Sequence, residues 1–274
     1  TAGQHTITID GTFPNVRFFN NAASRVLVNE VVDLGDVGWV NLYQAFRSCT
    51  NLTNFNVGTA DTSSVTSMQQ MFYTCSGLTT LDLSNFDTSS VTDIKYMFQN
   101  CSSLTSLDLS GFDTSNVTSM EAAFHTCSSL TSLDVSSFDT SSVTTMQSMF
   151  QNCSSLTSLD ISGFNTSSVT TMQSMFYNCL SLTSLDLSSF DTSSVSNMSY
   201  MLYQCTSLTN LDIKHFDISS VTNGTNFLSG SNNALTTTAY DELLEAWAAQ
   251  DVQPNVLWHF GDAQYTVETI ADWY

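Results

Sequence analysis

The chain of 274 residues carries 25 acids against 5 bases, a formal net charge of −20, yet only 11% of its residues are charged. A surface so acidic repels nucleic acid and anionic membranes, which excludes recognition of either by charge. With 18 Phe, 10 Met and 9 Tyr there is ample apolar mass for a core, which excludes a disordered acidic tail.

The chain begins TAGQHTITIDGT, with neither an initiator Met nor the basic and apolar stretches of a secretion signal, and is expected to be a mature or excised piece. HTITID (5–10) and VRFF (16–19) read as strands that cover the first coil of a repeating array. No window approaches the roughly 18 consecutive apolar residues of a membrane span, so no membrane insertion is expected. The next segment, DLGDVGWVNLYQAFRSC (33–49), matches the second half of a repeat whose Val and Phe columns hold Trp39 and Phe46.

Cysteines mark that repeat. They stand at 49, 75, 101, 127, 153, 179 and 205, each 26 residues from the last, and a fixed period in this range signals a solenoid. The unit reads C-S-S-L-T-S-L-D-L-S-x-F-D-T-S-S-V-T-x-M-x-x-M-F-x-N. Leu104, Leu107 and Leu109 alternate near the end of L-T-S-L-D-L, which predicts a short strand with one buried face. S-G-F-D-T-S-N is turn chemistry around one inward Phe. Val117, Met120, Ala123 and Phe124 then follow a helical spacing, and Ser115 or Thr118 is expected to cap that helix. A strand and a short helix in each unit is the leucine-rich-repeat plan. The fold class expected is α/β, a right-handed solenoid with a parallel β-sheet on one side, short helices on the other, and caps at both ends. Seven strands about 4.8 Å apart would make a sheet roughly 30 Å long.

One coil cannot stand alone. Its apolar side chains contribute roughly 1.5–3 kcal/mol each when buried, against about 1–2 kcal/mol per residue for ordering the backbone, so only stacking tips the balance. After Val221 the columns degrade through Gly224 and Phe227 to SGSNN. TTAYDELLEAWAAQ (237–250) predicts an amphipathic helix capped by Thr237 or Thr238, with Leu243, Leu244 and Trp247 inward. The tail VLWHFGDAQYTVETIADWY is expected to close the last coil. We expect one domain over 1–274, comprising a β cap (1–32), repeats (33–230) and a helical cap (231–274).

Stacking turns columns into ladders. The cysteines lack the spacing and the paired His of a zinc site, and are expected to be buried free thiols, the alternative being disulfides between coils with one thiol left over. The Met columns, such as Met146 and Met149, are expected to fill the core beside Phe150. Two Asp columns of six account for 12 of the 25 acids. Asp61, Asp87, Asp113, Asp139, Asp191 and Asp217 follow the Phe, and Asn165 replaces Asp in one unit, which points to a turn hydrogen bond rather than to an essential charge. The second column, Asp82, Asp108, Asp134, Asp160, Asp186 and Asp212, alternates with inward residues and is expected on the exposed sheet face, flanked by serines. Like charges about 5 Å apart in water repel by roughly 0.8 kcal/mol per neighbouring pair. Such a stripe is either tolerated through splayed side chains and counterions, or used as a binding face. If used, it would hold a cation such as calcium weakly, or meet a basic or hydroxyl-rich partner. No other cofactor, no metal centre and no catalytic residue is expected. His5, His125, His215 and His259 stand in unrelated contexts, and no G-x-S-x-G, P-loop or H-E-x-x-H occurs.

The unit LTSLDLSGFDTSNVTSM…F…C, with DLGDVGWVNLYQAFRSC before it and ALTTTAYDELLEAWAAQ after it, resembles the BspA-like leucine-rich repeats of bacterial surface proteins, over roughly residues 26–265. The resemblance implies an extracellular, non-enzymatic module at a cell or virion surface. It would act in adhesion or ligand recognition, towards a protein or glycan on another surface. The alternative is a self-assembling structural subunit of a phage particle, surface layer or filament.

Overall fold

The computed structural model describes residues 22–231, 234–261 and 263–264. The strands expected at 5–10 and 16–19, His5, and the tail beyond 264 lie outside the described residues. The described chain winds as a stack of 26-residue coils joined by backbone bonds to the coils on either side, such as Thr118 N–H to Thr92 O and Thr126 N–H to Gln151 O.

Regular secondary structure is sparse. A helical turn, α1 (Ala22–Arg25), leads into β1 (Glu30–Val31), which pairs parallel with β2 (Asn54–Phe55). β3 (Thr80–Asp82) pairs parallel with β4 (Ser106–Asp108), with Leu81 opposite Leu107 and Asp82 opposite Asp108. The expected seven-stranded sheet is therefore cut short. Beyond β4 the L-x-S-L-D segments keep the alternating burial but are held through one threonine per coil, whose amide and hydroxyl both donate to the preceding Thr carbonyl, as Thr157 does to Thr131 O and Thr183 to Thr157 O. The ladder that runs the length of the stack lies elsewhere in the unit. Parallel bridges join Ser67, Asp93, Ser119, Thr145, Thr171, Asn197 and Asn223 in succession.

The helical half of the unit is not helical. Where Ser115 or Thr118 was expected to cap a helix, Ser115 bonds instead to Asp113, and Thr118 to Thr92 O through both its amide and its hydroxyl. The chain here makes two consecutive tight turns, closed by Ala123 N–H to Met120 O and by Cys127 N–H to Phe124 O. Each places its third residue at positive φ, Ala122 at 51° and Thr126 at 60°. The same two columns are left-handed in every coil, from Gln44 and Ser48 to Asn226 and Gly230. A non-glycine residue there costs roughly 1–2 kcal/mol. The compensation is direct: Met120, Ala122, Phe124 and Thr126 each send their N–H to a carbonyl of the next coil at 2.7–3.2 Å. An α-helix would keep those donors inside its own coil. The apolar period of 3–4 residues is that of stacked turns, whose inward positions recur at the same interval.

The core is a set of columns. Phe46, Phe72, Phe98, Phe124, Phe150 and Phe176 form a ring stack with centroids 5.6–5.9 Å apart and planes within 14° of parallel. Met146, Met149, Met172 and Met175 are fully buried beside it. All seven cysteines are buried and unbridged. A column of buried threonines fastens coil to coil: the Thr140 hydroxyl donates to Asn165 O at 2.9 Å and accepts from Asn165 N–H at 2.8 Å.

At the ends, single residues replace what a neighbouring coil would supply. Trp39, buried in the Val column, donates its indole N–H to Gly35 O. Gly224 stands in the Met column, where a Cβ would lie 2.5 Å from the Trp258 ring, so glycine is what lets the cap seat its indole. Ile218 takes the place of the buried Thr, and Gln250 accepts from its N–H and donates to Phe216 O. The helix α2 (Thr237–Ala248) is capped by Thr236 rather than by the expected Thr237 or Thr238, its hydroxyl accepting from Ala239 N–H. Leu243 and Trp247 are buried as expected, whereas Leu244 is only half-buried.

Candidate functional site

Asp82, Asp108, Asp134, Asp160, Asp186 and Asp212 are all exposed and lie between buried neighbours, one per coil. They are not idle in folding, however. In each of the first five, Oδ1 accepts from the N–H of the serine two residues on, at 2.9–3.0 Å. Asp82, Asp134 and Asp160 also accept from that serine's hydroxyl at 2.7 Å. Asp212 accepts from Lys214 N–H. The column is thus a series of Asx turns, a third role beside the tolerated stripe and the binding face expected from the sequence. The serine bonds hold the carboxyls of Asp82, Asp134, Asp160 and Asp186 below the usual carboxylate range, and for Asp160 they outweigh the opposing charges of Asp134 and Asp186.

The other Asp column makes the same turn, as expected. Asp113 Oδ1 accepts from Ser115 N–H and hydroxyl, and Asn165 does so from Ser167. An amide therefore performs this task. The exposed column makes the point within itself, because Asn56 occupies it one coil before Asp82 and accepts from Gly58 N–H at 2.9 Å. The turn requires an oxygen acceptor and not a charge.

Each end of the carboxylate column opens on a recess. One of about 330 Å³ is lined by Glu30, Val32, Asn54, Phe55 and Asp82 among others, and one of about 190 Å³ lies between Asp212, Lys214 and the α2 residues Ala239, Glu242 and Leu243. Lys214 pairs with Glu242 at 2.9 Å and Lys95 with Glu121 at 3.7 Å, so these bases serve other carboxylates. Among the described residues no cluster of three or more His, Cys, Asp or Glu is grouped to hold a metal, so the column presents one carboxylate per coil rather than a chelating cage. Among the described residues no helix is long and apolar enough to cross a membrane.

The three described histidines are parts of the scaffold. Burial pushes the His125 imidazole below its usual range. A ring nitrogen of His215 lies 3.0 Å from Leu187 O, and His259 Nδ1 accepts from Asn226 N–H at the cap.

No curated protein matches the chain. Among solved structures it is similar to a leucine rich cell surface protein from Faecalibacterium prausnitzii, at 17% identity over 89% of this chain and 88% of that one, with a TM-score of 0.28. It is also similar to an internalin from Listeria monocytogenes, at 15% identity over 91% and 78% of the two chains, with a TM-score of 0.22. The family described as "Mycoplasma protein of unknown function, DUF285" matches residues 40–133 and 118–247. Those segments span most of the coils and the final helix, and the chain belongs to this family of BspA-like leucine-rich repeats.

Proposed function

We propose that the protein is a non-enzymatic recognition module at a cell or virion surface, and that the carboxylate column from Asp82 to Asp212 is the face that meets its partner. The observation that carries this reading is Asn56: the amide makes the turn, yet the next six coils all hold a charge in its place. Those charges oppose one another across coils, and the turn itself needs only the acceptor oxygen that Asn also supplies. A regular row of carboxylates suits an extended partner of basic or hydroxyl-rich chemistry, a protein or glycan displayed on another surface. The same row would gather calcium weakly, since carboxylate and hydroxyl oxygens are hard ligands.

The test is the pair Asp134→Asn and Asp160→Asn, which removes charge and keeps the turn. On immobilised matrix proteins and glycans, the double variant should bind at least tenfold more weakly than the parent, and the loss should shrink as salt is raised. Equal binding by the two proteins removes the carboxylate face from the account. Equal melting temperatures in calcium and in chelator, at matched ionic strength, remove the cation.

A further inference from the structure

Three tyrosines break the repeat at one place. Tyr177 and Tyr203 stand in a column that also holds Arg47, Tyr73, Gln99, His125, Gln151 and Ser229, and Tyr200 in one that also holds Gln44, Gln70, Tyr96, Ala122, Ser148, Ser174 and Asn226. The scaffold is content with small or polar residues at these positions. Here the Tyr177 and Tyr203 rings stack across adjacent coils with centroids 4.8 Å apart and planes 16° from parallel. Tyr200 packs against both, at 6.2 and 5.6 Å. All three are partly buried, with part of each side chain open to solvent. Leu180, in the coil of Tyr177, is 38% exposed where Ser102, Ser128 and Ser154 stand in other coils. Tyr73 and Tyr96 differ, because charged scaffold neighbours engage them: Arg47 lies over the first ring and Glu121 accepts from the second hydroxyl.

The surroundings specify the ligand chemistry. Each ring of the stack is followed directly by an amide, Asn178 after Tyr177 and Gln204 after Tyr203. Asn178 donates to Asn152 Oδ1 at 3.1 Å, so a row of amides runs beside the rings. The segments 171–180 and 197–206 contain no Asp, Glu, Lys or Arg, in a molecule of net charge −20. A charged ligand would find no counter-charge here. An apolar protein face would cover the amides without bonding to them, at the cost of desolvating unpaired polar groups. A sugar satisfies both components, with its C–H face against aromatic rings and its hydroxyls towards amides that donate and accept.

We propose that Tyr177, Tyr200 and Tyr203 form a binding platform for an uncharged carbohydrate, with a pyranose face lying on the stacked rings and sugar hydroxyls bonding to Asn178 and Gln204. The platform is open, so one sugar binds weakly and a repeating polysaccharide gains through multiple contacts. The proposal goes beyond the carboxylate face, and each can fail without the other.

Affinity electrophoresis in gels containing laminarin, mannan or dextran, with heparin as the anionic control, tests it. The parent should be retarded by at least one neutral polysaccharide, equally at low and high salt. Tyr177→Gln with Tyr203→Gln should weaken that binding at least tenfold. These variants place a residue the column already accepts at 99 and 151, and an unaltered melting temperature verifies that they fold. Failure of all three neutral polysaccharides to retard the parent overturns the proposal, as does retardation that survives the double substitution. Retardation by heparin alone overturns it too. A concentration-dependent dimer that the same substitutions abolish assigns the rings to a second copy of the chain and overturns it as well.

Discussion

The thiol of Cys127 donates to the carbonyl of Phe98 at 3.2 Å, 29 residues back in the chain, and that carbonyl also accepts from Cys101 N–H at 3.1 Å. The cysteine column is therefore a column of hydrogen bonds between coils. Where it ends, Ser231 makes the same bond to Leu202 O at 2.6 Å and also accepts from Cys205 N–H.

That substitution within the chain predicts the mutant order. Cys127→Ser should fold and remain within about 1 kcal/mol of the parent, and Cys127→Ala should lose about 1–2 kcal/mol through a missing bond and a small cavity. Burial pushes the thiols of Cys101, Cys153 and Cys205 up to about 12. A thiol titration should find no reactive group in the native protein and seven after unfolding in denaturant. A thiol reacting under native conditions contradicts this assignment.

Thr140→Val removes a hydroxyl that both donates to and accepts from the Asn165 backbone, with no change of shape. It should cost about 2 kcal/mol in urea unfolding, more than Thr144→Val, whose exposed hydroxyl makes a single bond to Thr118 O. Equal costs would mean that the buried column does not fasten the coils.

Thr126 is β-branched and sits at φ 60°, whereas the same column holds Asn at 100, 152 and 178. Asn tolerates the left-handed region far better. Thr126→Asn should therefore stabilise by about 1 kcal/mol, read as a higher melting temperature. A lower one would show that the Thr126 contact to Asn152 Nδ2 outweighs backbone strain.

Acid should destabilise the protein even though it discharges a molecule of net charge −20. The folded-state carboxyls of Asp82, Asp134, Asp160 and Asp186 are held below their ordinary value by serine hydrogen bonds. Their contribution is fully present above the unfolded value of about 4 and is lost as pH falls through the depressed folded values. Urea midpoints should fall between pH 5 and pH 3. A rise over that interval would mean that repulsion along the column dominates.

Gly224→Ala puts a methyl group into the Trp258 ring, and should release the cap while leaving the coils folded. A changed Trp fluorescence spectrum with faster proteolysis after residue 230 is the expected readout. Unchanged proteolysis would mean that the indole has room to move.

What the sequence shows plainly is periodicity, because a 26-residue repeat prints every coil-to-coil contact as a column. The buried cysteines, the Met columns and the exposure of Asp82 to Asp212 are legible from that alone. The turns that replace the helix expected over Val117–Phe124 were not, because inward positions of stacked turns recur every three or four residues as they do on a helix. The residues that distinguish the two are Asn100, Asn152 and Asn178, whose left-handed preference recurs in one column. The Asx turns of Asp134 and Asp160 were hidden by alternation, which places a side chain outward without saying what it bonds. The stacking of Tyr177, Tyr200 and Tyr203 was visible only as the one place where Tyr fills both columns in adjacent coils without a charged neighbour.

Gly224 and Gln250 bear on how such a protein changes size. Each interior coil exchanges the same bonds with its two neighbours, while the special residues sit at the last coil and its cap. A whole unit inserted or removed between Cys75 and Cys205 leaves every remaining junction in register, with the Phe rings still one step of 5.6–5.9 Å apart. Reach is therefore inherited in discrete steps, and a lineage can lengthen or shorten this surface without redesigning either end.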